Sequence, residues 1–106
     1  MTKKVKKKTV KKKNTKPILK KNERLVKFSV PADAGSEVFV AGSFNNWDPT
    51  ANKLRKYKEN YITSIVLPVG RYEYKFIING IWHVDPNCDE WQPNDMGSIN
   101  SVITVE

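Results

Sequence analysis

The sequence pattern brings together a tryptophan and a lysine, a pair well suited to hold a ligand. Asn79 and Gly80 separate two runs of β-branched and aromatic residues, and Asn-Gly is typical of a two-residue hairpin turn that needs φ > 0 at both positions. The resulting register sets Ile77 opposite Trp82. It also places Lys75 diagonally from Trp82 on the same face, roughly 7–8 Å away, so that both side chains can touch one ligand.

The two faces of this hairpin differ in polarity. The face predicted to pack on the core carries Tyr72, Tyr74, Phe76, Ile78, Ile81 and His83. The other, mixed face carries Glu73, Lys75, Ile77, Trp82 and Val84. A flat aromatic ring on a polar face suits the C–H face of a pyranose sugar, whose hydroxyls need donors and acceptors such as Lys and Asn. Trp47, in a predicted loop, and Trp91, in an irregular stretch, are further platform candidates, although either could instead pack against the edge of the core.

The remaining elements are predicted to be short strands, because apolar residues alternate with a period of two and show no helical period. The strands are expected at 24–31, 37–42, 53–57, 61–67, 70–78, 81–84 and 98–105. Strands of this length and spacing indicate an all-β antiparallel sandwich. The polar strand 53–57 is predicted to lie at a sheet edge, where its lysines and arginine oppose strand pairing and favour a monomer.

The positive charge is concentrated near the N-terminus. Residues 1–27 hold 13 basic side chains and one acidic side chain, whereas residues 28–106 hold 6 basic and 10 acidic ones. A Lys-rich segment buries too little apolar surface to fold, so residues 1–22 are predicted to be a disordered tail and residues 23–106 the domain. The tail is either a solubilising leader or a non-specific contact for a polyanion such as RNA or an anionic membrane surface.

The composition argues against several other classes of protein. There is no apolar run of about 18 residues and no apolar core of a signal peptide, so no membrane span is expected. The lone Cys88 fits a reducing, cytoplasmic location. The carboxylates of 85–95 are expected to be solvated, since a glycosidase pair needs a fixed separation across a deep cleft. His83 is interpreted as a structural residue, and no catalytic residue, metal or cofactor is expected.

Four ordered segments of the sequence resemble carbohydrate-binding module family 48. They read VFVAGSFNNW at 38–47, LPVGRYEYKF at 67–76, NGIW at 79–82 followed by Asp85-Pro86, and GSINSVI at 97–103. The likeness is greatest to the glycogen-binding domains of AMP-activated protein kinase β subunits, and it extends to the N-terminal modules of branching and isoamylase-type enzymes. It implies an immunoglobulin-like (early-set) sandwich over about residues 24–106. It also implies non-catalytic binding of α-1,4-glucans such as glycogen, maltooligosaccharides and cyclodextrins.

The resemblance also implies which residues contact the sugar. The family's contact positions fall on Trp47, Lys75, Trp82, Met96 and Asn100. Met96 stands where some members have a leucine, and its flexible side chain could still lie against a glucan. Asn100-Ser101 stands where an Asn-Asn pair is common. The hairpin register places Lys75 and Trp82 on one face independently of this likeness.

A protein-interaction role is the alternative. Modules of this kind can dock as scaffolds on a carbohydrate-active enzyme or a kinase partner. A free Trp82 with Trp47 nearby would favour sugar binding, whereas two tryptophans covered by loops would favour the scaffold.

Overall fold

A computed structural model describes residues 18–106, which form eight antiparallel strands. The strands are β1 (Glu23–Pro31), β2 (Val38–Gly42), β3 (Lys53–Tyr57), β4 (Asn60–Pro68), β5 (Gly70–Ile78), β6 (Ile81–His83), β7 (Trp91–Pro93) and β8 (Ile99–Val105). Their spatial order is β1-β4-β3-β2-β5-β8-β7, and β6 pairs with β5. The predicted all-β class is confirmed. Residues 18–106 contain no helix that is long and apolar enough to cross a membrane. The predicted disorder of the tail falls largely on residues 1–17, which lie outside the described residues.

The strands form two layers that share β3. Lys53 and Leu54 pair with β2, whereas Arg55–Tyr57 pair with β4. This position corrects the expectation of an edge strand, because β3 links the two layers. Each half of β3 nevertheless pairs on only one side, and four of its five residues are exposed while Leu54 is buried in the core. Within the described chain, β1 and β7 lie at the two ends of this order, and β6 also has one unpaired edge.

Aromatic and branched side chains fill the space between the layers. Period-two alternation buries Val26, Phe28 and Val30 of β1 in a core cluster that includes Tyr74 and Phe76 of β5. The Phe28 ring lies 5.2 Å from the Tyr74 ring and 5.4 Å from the Phe44 ring, measured between centroids. These contacts join β1 to β5 across the core, and they confirm the predicted sandwich.

The hairpin forms as the Asn-Gly signal predicts. Asn79 has φ of 51° and Gly80 has φ of 84°. Ile77 pairs with Trp82 and Ile78 with Ile81, in the predicted register. The turn is tied to the loop before β2, because the Glu37 N–H donates to Asn79 Oδ1 at 2.9 Å.

Two expectations for this region were wrong. Ile81 is 61% exposed and His83 is exposed, although both were expected to pack on the core. The strand β6 is three residues long and pairs with β5 alone, and all three of its residues are exposed. The stretch 85–97, expected to be irregular, contains β7, which pairs with β8 and leaves Trp91 52% exposed. A three-residue strand that ends in proline gives too short a pattern to be recognised from sequence.

Candidate functional site

The outer face of β5 forms the floor of the site. Tyr74 and Phe76 point into the core, so Glu73 and Lys75 point to the opposite face. Trp82 lies on that face opposite Ile77 and is 44% exposed. A tryptophan of this exposure next to a lysine is the arrangement that the hairpin register predicted.

The loop after β2 supplies a second tryptophan. Asn46 and Trp47 both have positive φ, 58° and 57°. This conformation is rare for a bulky side chain such as that of tryptophan, and strained backbone of this kind clusters at functional sites. The N–H groups of Asn45 and Trp47 both donate to the Gly42 carbonyl, at 3.1 and 2.9 Å.

The side chain of Asn45 holds this loop in place. Its Oδ1 accepts a hydrogen bond from the Gly42 N–H at 3.0 Å. Its Nδ2 donates to the Val40 carbonyl and to Asn52 Oδ1, at 3.1 and 2.7 Å. The strained conformation of Trp47 is therefore maintained by polar contacts to β2 and to the residue before β3.

A tight turn between β7 and β8 forms the third wall. The Asn94 N–H donates to the Ser98 carbonyl at 2.9 Å, and Asn94 Oδ1 accepts from the N–H groups of Met96 and Ser98 at 2.9 and 3.1 Å. Gly97 has φ of 78°, which closes the turn without a Cβ penalty. Met96 projects from the turn and is 90% exposed.

These three segments surround an open cleft of about 730 Å³. It is lined by Trp47, Glu73, Lys75, Trp82, Asn94, Asp95, Met96, Ser98 and Asn100. Both tryptophans and Met96 supply apolar surface, while a lysine, two carboxylates and three side chains with amides or hydroxyls supply polar groups. A cleft of this composition suits a ligand with both apolar faces and many hydroxyls.

All five residues predicted from sequence line this one cleft. Lys75 Nζ donates to Ser98 Oγ at 2.7 Å, which holds the lysine head against the turn. Asn100 is only 7% exposed, and both ends of its amide are engaged. Its Nδ2 donates to Glu73 Oε1 at 3.0 Å, and its Oδ1 accepts from Asn94 Nδ2 at 3.1 Å.

Four lining residues were missed by sequence reasoning: Glu73, Asn94, Asp95 and Ser98. Glu73 had a usable signal, since the register already set it on the face of Lys75. Its second oxygen, Oε2, accepts from Arg71 at 3.3 Å, and Arg71 also donates to Gln92 of β7 at 3.1 Å. The Asn-Asp-Met-Gly pattern at 94–97 is a turn signal that could have predicted the third wall.

Hydrogen bonds of Asp85 attach the segment before β7 to β5 and β8. The Tyr74 hydroxyl donates to Asp85 Oδ2 at 2.7 Å, and the Asp85 N–H donates to Ser101 Oγ at 2.8 Å. Cys88 Sγ lies within hydrogen-bonding distance of the carbonyls of Glu90 and Val102, at 3.0 and 3.3 Å. Burial, and then the hydrogen bond to Asp85, raise the pKa of Tyr74 well above its usual value.

The raised pKa of Tyr74 predicts a loss of stability in alkali. Above about pH 10 the unfolded chain releases this proton while the folded chain keeps it, so the free energy of unfolding falls by up to about 1.4 kcal/mol per pH unit. We expect the melting temperature to fall less steeply between pH 9.5 and 11 in Tyr74→Phe than in the wild type. Tyr57→Phe is the control, because Tyr57 is exposed and its loss should leave the wild-type slope. Equal slopes in all three proteins would contradict this assignment.

The sequence identifies the family. Residues 26–106 match the family described as the glycogen recognition site of AMP-activated protein kinase. The chain belongs to this family. The resemblance predicted from the four sequence segments is therefore confirmed.

Individual relatives place the glycogen-recognition module within longer proteins. The 5'-AMP-activated protein kinase subunit beta-2 of Mus musculus is 37% identical over 75 residues, which cover 71% of this chain and 27% of that subunit. Subunit beta-1 of Sus scrofa is 35% identical over 72 residues, 68% of this chain and 57% of that sequence. This chain thus spans about a quarter of the length of the mouse subunit it matches.

A solved structure shares the fold. The maltogenic amylase from S. marinus superposes with a TM-score of 0.64 over 77% of this chain and 13% of the amylase, at 24% sequence identity. At this identity the likeness establishes the sandwich fold alone.

Proposed function

We propose that this glycogen-recognition module binds α-1,4-glucans of the glycogen or starch type without catalysis. The observation that carries the proposal is the convergence of Trp47, Lys75, Trp82 and Met96 on one open cleft. Membership of the family described as the glycogen recognition site of AMP-activated protein kinase supports the same ligand. The exposure of Trp82 favours sugar binding over a purely scaffolding role, since an uncovered ring is free to stack.

The two tryptophans would provide the stacking surfaces. The C–H face of a glucose ring packs on an indole ring, and two rings carried by separate segments can follow the bend of an α-1,4 chain. Met96, at the rim, would lie along the sugar with its flexible thioether side chain. Maltooligosaccharides and cyclodextrins present the same curved edge as a glycogen branch, so they serve as soluble probes.

Polar contacts would come from Lys75 and Asn100. The Lys75 ammonium has three N–H donors and uses one on Ser98, which leaves two for sugar hydroxyls. Asn100 is more restricted, because Glu73 and Asn94 already engage both ends of its amide. We therefore assign to Asn100 a single hydrogen bond to the sugar through its second N–H.

The proposal that binding occurs without catalysis is supported by how Glu73, one of the two carboxylates in the cleft, is engaged. Glu73 accepts hydrogen bonds on both oxygens, from Asn100 and from Arg71. A glycosidase needs one carboxyl group free to donate a proton and another free to attack or to activate water. Because the cleft is open and buries few ligand atoms, we expect dissociation constants between micromolar and millimolar.

The wider setting is also a proposal. The relatives are named as subunits of a protein kinase, which suggests that this module brings a kinase or a carbohydrate-active enzyme to glucan in the cytoplasm. The Lys-rich tail would add a non-specific contact to polyanions, and the module is proposed to act as a monomer.

The proposed function is tested by titrating the intrinsic tryptophan fluorescence with maltoheptaose and, in parallel, with cellohexaose. We expect a saturable change with the α-1,4 sugar and little change with the straight β-1,4 sugar. No response to maltoheptaose at millimolar concentration would refute glucan binding. An equal response to both sugars would refute specificity for the α-1,4 linkage.

A further inference from the structure

We propose that a directional chain of hydrogen bonds from Glu73 through Asn100 to Asn94 positions the 94–98 turn of the glucan cleft. The inference rests on the proposed function, and it makes Glu73 and Asn94 positioning residues for the site. We call this chain of side chains the amide relay.

The amide relay is continuous. Asn100 Nδ2 donates to Glu73 Oε1 at 3.0 Å, and Asn94 Nδ2 donates to Asn100 Oδ1 at 3.1 Å. Asn94 Oδ1 then accepts from the N–H groups of Met96 and Ser98, at 2.9 and 3.1 Å. Each bond has the length of a good hydrogen bond. The floor of the cleft on β5 is thus connected through β8 to the exposed turn.

The two ends of the relay fix the orientation of both amides. The Glu73 carboxylate can only accept, so the amide nitrogen of Asn100 must face it. The N–H groups of Met96 and Ser98 can only donate, so the amide oxygen of Asn94 must face them. The Asn94 amide nitrogen and the Asn100 amide oxygen then meet. Asn100 is 7% exposed, so water cannot readily replace a partner that turns the wrong way.

A second connection holds the turn to the same strand. Lys75 Nζ donates to Ser98 Oγ at 2.7 Å. Lys75 and Glu73 lie two residues apart on one face of β5, so the turn is attached to that face at both positions. Met96, which is 90% exposed, gains little from packing. Its position over the cleft therefore depends on the polar contacts of the turn.

This arrangement prepares the cleft before the sugar arrives. A turn that is already ordered does not lose conformational freedom when the ligand binds, which improves affinity without any new contact to the sugar. Variants that disturb the relay should thus weaken binding even though neither Glu73 nor Asn94 is assigned a direct sugar contact.

The relay can be tested by reversing its direction. Asn94→Asp keeps an oxygen that accepts from the N–H groups of the turn, but it replaces the amide nitrogen that donates to Asn100 with a second oxygen. Two oxygens then face each other. The Asn100 amide cannot turn over to relieve this, because its own oxygen would then face the Glu73 carboxylate. We expect affinity for maltoheptaose to fall about 10-fold. Glu73→Gln alone must either turn its amide nitrogen toward Arg71 or break the relay, and we expect a loss of about 3-fold.

The double variant should restore binding. In Glu73→Gln/Asn94→Asp, Asn100 can rotate so that its nitrogen donates to the new carboxylate at 94 and its oxygen accepts from the new amide at 73. The new amide oxygen at 73 then faces Arg71, and the net charge equals that of the wild type. We expect affinity within about 3-fold of the wild type, whereas independent effects would multiply to about 30-fold.

The experiment uses two readouts, affinity and hydrogen exchange. Asn87→Asp is the matched control, because Asn87 is an exposed asparagine outside the cleft. Isothermal titration calorimetry gives the affinity for maltoheptaose. NMR in the absence of sugar gives the hydrogen exchange of the Asn100 side-chain amide and of the Met96 and Ser98 backbone amides. The control should match the wild type in both.

The outcomes separate the relay from the proposed function. Losses that multiply in the double variant would overturn the relay even if the wild type binds glucan. If the wild type binds no glucan, the proposed function fails. The hydrogen-exchange rates measured without sugar then test the relay by themselves. Recovery of the wild-type rates in the double variant supports the relay. Exchange that is faster than in the wild type in all three variants overturns it.

Discussion

Replacing Trp82 with alanine is expected to abolish measurable binding of maltoheptaose while leaving the fold intact. The indole lines the proposed cleft and shares a sheet face with Lys75 of β5. Removal of an aromatic ring on which the ligand stacks costs about 2 kcal/mol or more, which is roughly 30-fold in Kd. For a site of modest affinity such a loss carries Kd beyond the range of calorimetry. Because Trp82 is half-exposed on a three-residue strand, the melting temperature should change by only a few degrees.

Trp91 offers a matched control for this experiment. It is also half-exposed and also lies on a three-residue strand. Trp91 pairs with Ser101, and Ser101 pairs with Tyr74, which faces the core. Because paired residues share a face of the sheet, the Trp91 side chain lies on the face opposite the cleft. Trp91→Ala should bind maltoheptaose like the wild type. If both variants bind normally, the cleft is not the glucan site.

Gly42→Ala is expected to have the largest effect on stability. A Cβ at Gly42 would lie 2.5 Å from the Glu73 carbonyl oxygen, 2.7 Å from the Phe44 ring and 2.9 Å from Tyr74 Cβ. A backbone atom cannot yield as a flexible side chain can, so β2 and β5 must separate locally. Overpacking of this kind costs about 2 kcal/mol or more, and we expect the melting temperature to fall by about 10 °C. Differential scanning calorimetry measures the change.

Gly35→Ala distinguishes this crowding from the general cost of replacing a glycine. A Cβ at Gly35 meets nothing within 4 Å, but the residue has φ of 85°. Its replacement should therefore cost only the conformational term of about 1 kcal/mol. If Gly42→Ala proved no more destabilising than Gly35→Ala, the close approach of β2 to β5 would not be a constraint on the fold.

The elements that short-range rules determine could be predicted from the sequence. Asn79-Gly80 specifies a turn with two positive φ values, and that turn alone fixes the pairing of Ile77 with Trp82. Alternation of apolar residues likewise located β1, β4 and β8 to within a few residues. Both signals depend on residues that are close together along the chain.

The features that depend on distant contacts could not be predicted in this way. The role of β3 as a link between layers depends on its separate pairing with β2 and with β4, which a five-residue strand with one buried leucine does not encode. His83 alternates correctly to face the core, but whether a second layer covers it depends on the extent of other strands. A period of two gives the face of a side chain and not its burial.

In the candidate site, too, local signals could be predicted and contacts between distant segments could not. The register predicted that Lys75 and Trp82 share a face, and the family resemblance added Trp47, Met96 and Asn100, which line the same cleft. Neither source predicted that Asn100 would be buried with both ends of its amide engaged. That arrangement requires side chains on β5, on β8 and in the turn between β7 and β8.

The strand β5 supplies the core with Tyr74 and Phe76 and the cleft with Glu73 and Lys75. A glucan held on its outer face can thus remain bound only while the core on its inner face stays assembled. By mass action, glucan at 100 times Kd would then raise the free energy of unfolding by about 2.7 kcal/mol. Because proteases act mainly on opened chains, proteolysis of the module should slow as the glucan concentration rises.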